Sequence, residues 1–151
     1  MREEVIKLQE EFLEKFPKAQ VFKHNERRLY ITLPKEQIYD VTLFLHKEKG
    51  LRLSTATGID TREGFEILYH FSYDKAGTYF TIKVLIPKEN PKIKSITPIY
   101  IAANWIEREM HELLGIDFDC HPNLKPLLTS DDWPEDKYPL RRDYESHASE
   151  V

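Results

Sequence analysis

The spacing of hydrophobic residues changes several times along this chain, and each change marks an element. In residues 2–16, Val5, Leu8, Phe12 and Phe16 recur at three- and four-residue steps with Lys and Glu between them. That is the apolar stripe of an amphipathic helix. Pro17 ends it, because the proline ring cannot continue a helical ladder. Residues 20–24 and 27–33 read as two short strands, with Asn25 and Glu26 as the tight turn between them. Helical spacing returns over 35–49, where Ile38, Val41 and Leu45 share a face and Gly50 is a C-terminal stop.

The period then drops to two. Strands are predicted over 51–59, 64–74 and 78–87. Phe65, Ile67, Tyr69, Phe71 and Tyr73 recur strictly at every second position, and so do Phe80, Ile82, Val84 and Ile86. Residues 74–77 (Asp-Lys-Ala-Gly) join the last two strands as a hairpin. The alternation predicts an antiparallel sheet with one covered face, and the two helices supply the cover. The fold class is therefore α+β, mainly antiparallel, with no internal repeat.

A third helix is predicted over 98–114. Thr97 would be its N-cap, Pro98 its first residue and Gly115 its left-handed stop. Ile99, Ala103, Ile106, Met110, Leu113 and Leu114 form the core stripe at about 100° per residue. Trp105, Glu109 and Glu112 flank it on one side and Tyr100, Glu107 and His111 on the other, with Arg108 pointing away.

From Pro122 onward no period survives. Pro122, Pro126, Pro134 and Pro139 fall there, yet so do Leu124, Leu127, Leu128, Trp133, Tyr138, Leu140 and Tyr144. Disordered tails are poor in such residues. The expectation is a domain over 1–120 and an extended strap over 121–151 whose apolar side chains need another polypeptide to shelter them.

Composition removes several classes of function. A net charge of −4, from 22 basic and 26 acidic side chains, gives no reason to expect a nucleic acid as partner. The longest relevant uncharged run, SITPIYIAANWI at 95–106, is too short beside the roughly 20 residues that cross a bilayer. The acidic N-terminus does not read as a secretion signal, so the chain itself is expected to be soluble and intracellular. Cys120 is the single cysteine, too few for an iron–sulfur cluster, which needs about four.

The stretch 102–123 concentrates the chemistry. HELLG at 111–115 begins like a zinc-protease motif but places Gly115 where a second His belongs. Cys120 beside His121 lies among acids, Asp117 and Asp119, which is not the electropositive setting of a reactive thiol. Five glycines include no phosphate-binding loop. Trp105, Arg108, Trp133, Tyr138, Arg141, Arg142 and Tyr144 are instead the residue types of interface hot spots. Set against a solvated charged helix with ordinary core tryptophans, the proline-rich strap favours an interface. Trp105, Trp133, Leu140 and Tyr144 would be its anchors, and Arg108, Arg141 and Arg142 would make bidentate pairs with carboxylates, within the chain or across the interface. A stand-alone metal-dependent hydrolase using His111, Glu112 and His121, and a free-standing peptide-binding module, are the alternatives of other classes.

Residues 104–144, NWIEREMHELLGIDFDCHPNLKPLLTSDDWPEDKYPLRRDY, resemble the C-terminal part of the C subunit of respiratory complex I. The family pattern runs W-x-E-R-E, then D-x-x-G-I-x-F-x-G-H-P, D-D-W and P-L-R-K-D-Y. It is met by Trp105, Glu107, Arg108, Glu109, Gly115, Ile116, Phe118, His121, Pro122, Asp131, Asp132, Trp133, Pro139, Leu140, Arg141, Asp143 and Tyr144. Glu112 replaces the family Asp, Cys120 a Gly and Arg142 a Lys. The WPE and YPLR form is more similar to the corresponding subunit of membrane-bound, energy-converting nickel–iron hydrogenases.

The resemblance implies a cofactor-free subunit in the hydrophilic arm of an ion-translocating oxidoreductase, with an NADH- or quinone-linked complex I as the second choice. The nickel–iron centre and iron–sulfur clusters would lie in partner chains, namely the catalytic large subunit and the iron–sulfur subunits. The chain would be peripheral, on the cytoplasmic side of the membrane. No catalytic, cofactor or metal residue is expected. The expected partner contacts are Trp105, Glu107, Arg108, Glu109, Glu112, His121, Pro122, Asp132, Trp133, Pro139, Leu140, Arg141, Arg142, Asp143 and Tyr144.

Overall fold

Alternating residues of three strands supply one continuous apolar layer. In the computed structural model, which describes residues 2–145, Leu29 and Ile31, Phe80, Ile82, Val84 and Ile86, and Phe65, Ile67, Tyr69 and Phe71 are all buried. The sheet joins β1 (Gln20–Asn25), β2 (Arg28–Thr32), β3 (Arg52–Asp60), β4 (Phe65–Tyr73) and β5 (Thr78–Ile86) in the order β1-β2-β5-β4-β3. Residues 146–151 of the expected strap lie outside the described residues.

The sheet is mainly antiparallel, as expected, but one pairing is not. β5 runs parallel to β2, with Leu29 opposite Phe80 and Ile31 opposite Ile82. After β2 the chain crosses to the far edge, forms β3 there, and returns as a β3-β4-β5 meander that ends beside β2. Antiparallel hairpins read locally in the sequence; this long-range pairing does not. Gly77, at φ +58°, closes the β4–β5 hairpin after a short helical turn, Asp74–Ala76.

Helix α1 (Glu3–Lys15) buries Val5, Leu8 and Phe12, the predicted stripe. The second helical segment is less regular than expected. A 3-10 turn (Lys35–Gln37) leads into α2 (Ile38–Thr42), which widens into a π-helical turn (Leu43–Glu48) before Gly50 at φ +70°. Phe12, Phe16 and Phe44 pack as tilted and edge-on rings with centroids 5.0–6.0 Å apart, which fixes α1 against this segment.

Helix α3 spans Ala103–Leu114, shorter than predicted at its N-terminus. Thr97 does not cap it, because its hydroxyl donates to Glu107 at 2.7 Å. Ser95 Oγ (2.5 Å) and the Ile96 N–H (2.8 Å) donate to the same carboxylate. Glu107 is fully buried, so it ties the loop before α3 to the helix itself. Helix α3 packs closely on β3 because Gly58 has no side chain: a Cβ there would lie 2.7 Å from Leu114 Cδ1 and 3.0 Å from Met110 Sδ. Short strands β6 (Lys92–Lys94) and β7 (Asp117–Asp119) pair in parallel and bracket α3 in sequence.

Burial pushes the Glu107 carboxyl above the usual range, against the lowering influence of Ser95, Ile96, Thr97 and nearby His121. The folded chain therefore holds this proton more tightly than the unfolded chain does. Ionisation costs stability, which is greatest below the unfolded value of about 4.5 and declines as pH rises through the elevated folded value. Glu107→Gln cannot ionise, so the stability of the native chain relative to this variant should fall between pH 4 and 7 in urea titrations. Glu107→Ala should lower stability by about 3 kcal/mol at pH 4, because three donors lose their acceptor inside the protein, and by less as pH rises and the native carboxyl ionises.

Candidate functional site

Arg108 and Glu112 sit one turn apart on α3, the spacing at which side chains of opposite charge normally meet. Here each takes main-chain groups of the strap instead. Arg108 donates through Nε to Lys125 O and through Nη2 to Pro126 O, both at 2.7 Å. Glu112 accepts the N–H groups of Leu128 at 2.7 Å and Thr129 at 2.9 Å through Oε1, and that of Leu127 through Oε2. Within the chain, Arg108 thus meets main-chain carbonyls rather than a carboxylate. A turn with no regular partner strand leaves its carbonyls and amides unpaired, and a guanidinium and a carboxylate satisfy one kind each.

The end of the strap is locked onto the end of α3. Helices leave their last carbonyls without partners. The Leu140 N–H donates to Leu113 O at 3.0 Å and Arg141 Nε to Leu114 O at 2.6 Å. The Arg141 guanidinium lies 4.1 Å from the Tyr138 ring centre and 5.1 Å from that of Phe65, between two π faces. Arg141 therefore also serves carbonyls rather than a carboxylate. Gly115 permits this twice over. It adopts φ +74°, and a Cβ there would lie 2.7 Å from the Tyr138 ring. The next residue, Arg142, donates its N–H to Asp60 Oδ2 at 2.8 Å. Burial opposes a charge on Asp60, but Lys88 Nζ at 2.5 Å and the Arg142 amide outweigh it and hold the carboxyl below the usual range.

His121 starts the strap. The Asn123 N–H donates to its Nδ1 at 3.0 Å, so Nε2 carries the proton and faces Asn104 O at 3.2 Å. Glu107 Oε2 lies 3.8 Å from Nε2. Cys120, in the place of the family glycine, takes φ +66°, which explains why a residue without a side chain suits that turn. Further on, Trp133 Nε1 donates to Lys137 O at 2.8 Å and closes a loop. The Ser130 side chain and the backbone of Asp132 lower the Asp132 carboxyl.

Residues 125–129 and 140–142 of the strap are thus held by their own domain through main-chain groups. The side chains of the strap are a different matter. Leu128 is 63% exposed, Leu140 57% and Trp133 36%, and on α3 Trp105 is 68% exposed. Ile101, 75% exposed in the turn before α3, joins this apolar set and was not singled out in the sequence, because it falls off the core stripe. Glu109, Pro122 and Asp143 are exposed, and Pro139 and Tyr144 are half-buried. Glu107 and Glu112, grouped above with the expected contacts, spend their hydrogen bonds inside the chain.

The metal-hydrolase arrangement is not assembled. His111 Nδ1 faces Ile116 O at 2.9 Å, Glu112 holds the strap amides and His121 holds its own turn. No cluster of three His, Cys, Asp or Glu side chains suited to a metal occurs among the described residues. None of the described helices is long and apolar enough to cross a membrane.

Comparison with known proteins agrees with this geometry. The family model of the respiratory-chain NADH dehydrogenase 30 kDa subunit matches residues 31–150. The C subunit of the NADH-quinone oxidoreductase of Chloroherpeton thalassium is 36% identical over 111 residues, covering 69% of this chain and 45% of that protein. The C subunit of the F(420)H(2) dehydrogenase of Methanosarcina mazei is 43% identical over 96 residues, 62% of this chain and 60% of that protein. The chain thus spans about half the length of these two relatives. A chain in the structure of the membrane-bound sulfane sulfur reductase, an archaeal respiratory membrane complex, superposes with a TM-score of 0.84 at 29% identity, covering 95% of this chain and 87% of that one. With the α3 and strap residues in the places the motif requires and a family match over most of its length, this chain belongs to the family of the respiratory-chain NADH dehydrogenase 30 kDa subunit.

Proposed function

We propose that this chain is a cofactor-free structural subunit in the hydrophilic arm of a membrane-bound, ion-translocating oxidoreductase, where α3 and the strap pack against the catalytic large subunit. The observation that carries this reading is the apolar set Trp105, Leu128, Trp133 and Leu140, which stays exposed although the main chain beneath it is fixed. Exposed tryptophans are the residue type enriched in interface hot spots. The nickel–iron or other catalytic centre and the iron–sulfur clusters would belong to partner chains, and attachment to the cytoplasmic side of the membrane would come through them.

The first choice is an energy-converting hydrogenase or a sulfur-reducing relative, and the likeness to a chain of the archaeal sulfane sulfur reductase complex supports the sulfur-reducing form. The local identity to an F(420)H(2) dehydrogenase subunit supports a second reading, a dehydrogenase-type complex. Both readings use the same surface.

Replacing Trp105 by Ala should leave the thermal midpoint of the isolated chain within about 2 °C, since surface substitutions away from packed features change stability little. It should weaken retention in the complex by about 2 kcal/mol, the scale of an interface hot spot, or about 30-fold in affinity. Co-purification at native yield would overturn the reading. Glu112→Ala should release the strap: amide exchange at Leu127, Leu128 and Thr129 should accelerate, and stability should fall by about 1–3 kcal/mol. Exchange at those amides unchanged from the native chain would show that Glu112 does not hold them.

A further inference from the structure

The two edges of the sheet are built differently. β1 carries Lys23 and His24 within six residues, the charged kind of edge that discourages another strand. β3 is nine residues long, and from Leu53 through Ile59 it has no charged side chain. At the turn into β4 the Thr61 N–H donates to Gly64 O at 2.9 Å. Bonded and non-bonded pairs alternate along an antiparallel ladder. With Gly58 opposite Ile67 and Ala56 opposite Tyr69, that alternation turns the main-chain groups of Ala56 and Gly58 to the open edge. Apart from the ladder with β4, residues 52–60 make no bond to another main-chain group among the described residues, and the Ala56 carbonyl accepts only from the neighbouring Thr55 hydroxyl at 3.4 Å.

A groove of about 340 Å³ runs along this edge, between β3 and α3. Ala56 and Gly58 form its floor, Ile106, Met110 and Leu113 its wall, and Leu140 of the strap closes it. Glu109 is the one charged residue of the lining and is exposed.

We propose that this groove receives an extended segment of a partner chain as a sixth strand on β3. Its apolar side chains enter the groove at alternate positions, and a Lys or Arg faces Glu109. Strand addition of this kind takes affinity from the main chain and specificity from alternate side chains. Charge decides between a partner and a second copy. Another copy of β3 offers no basic side chain between Arg52 and the β3–β4 turn, so its pairing would leave Glu109 without a cation. The proposal rests on the reading of this chain as a subunit of a complex.

Hydrogen exchange on the assembled complex and on the isolated chain tests it. The Ala56 and Gly58 amides should slow by about 100-fold on assembly, a span well within local-opening free energies, while the β4–β5 amides stay unchanged. Ala56→Pro removes an outward donor without breaking the ladder to β4, and Glu109→Lys reverses the rim charge. Each should weaken assembly about 10-fold or more while the isolated chain keeps its thermal midpoint. If Ala56 and Gly58 exchange alike in both states while Trp105 is covered on assembly, strand addition is overturned and the subunit reading stands. If the chain enters no complex, both fall. If the isolated chain dimerises with its β3 amides protected, the edge serves self-pairing and the proposal is overturned.

Discussion

A guanidinium and a carboxylate one turn apart on α3 hold an irregular strap by its backbone, and the shape of this protein's working surface follows from that. A main chain outside helices and sheets must place every carbonyl and amide somewhere. Arg108 supplies donors for Lys125 and Pro126, and Glu112 supplies acceptor oxygens for residues 127–129. Bonds to charged groups are the stronger kind. Because the hold is on the backbone, the Leu128 side chain is not needed for it and faces outward. A strap held by side-chain burial would have hidden the very groups that a partner could use.

The same helix carries the other constraints. Its Glu107 draws the preceding loop inward through Ser95, Ile96 and Thr97. Its last carbonyls are capped by Leu140 and Arg141. Its apolar face meets the sheet at Gly58. Twelve residues thus join sheet, loop and strap, and charged residues do much of the joining. That is why a segment so rich in Glu and Arg is not a solvated face. A buried carboxylate with three donors is costly to disrupt although its net contribution is modest, so Glu107 acts chiefly as a specifier of local geometry.

Much of the architecture was legible because it is local. The three-and-four spacing in α1, the strict alternation of β4 and β5, the left-handed glycines at 50 and 115 and the hairpin at 74–77 all appear where the sequence put them. Each depends on a residue's neighbours within one turn or one strand. The parallel pairing of β2 with β5 was not legible, since nothing in residues 28–32 names residues 79–83 as partners. Nor was the shortened start of α3. Thr97 is a fitting cap by local rules, and a buried Glu ten residues later takes its hydroxyl.

By itself, then, the sequence determined the elements, the α+β class, the family motif and the concentration of Trp, Arg and Glu around α3 and the strap. Only the tertiary structure decided what those charged groups bind. It gave Arg108 and Arg141 main-chain carbonyls within the chain, withdrew Glu107 and Glu112 from the surface, and left Trp105, Leu128, Trp133 and Leu140 on it. The physical reason is range. Periodicity and turn chemistry are set by residues within a few positions, whereas the partner of a long charged side chain is fixed by which backbone happens to pass within about 3 Å of it, and that is known only once the chain has folded.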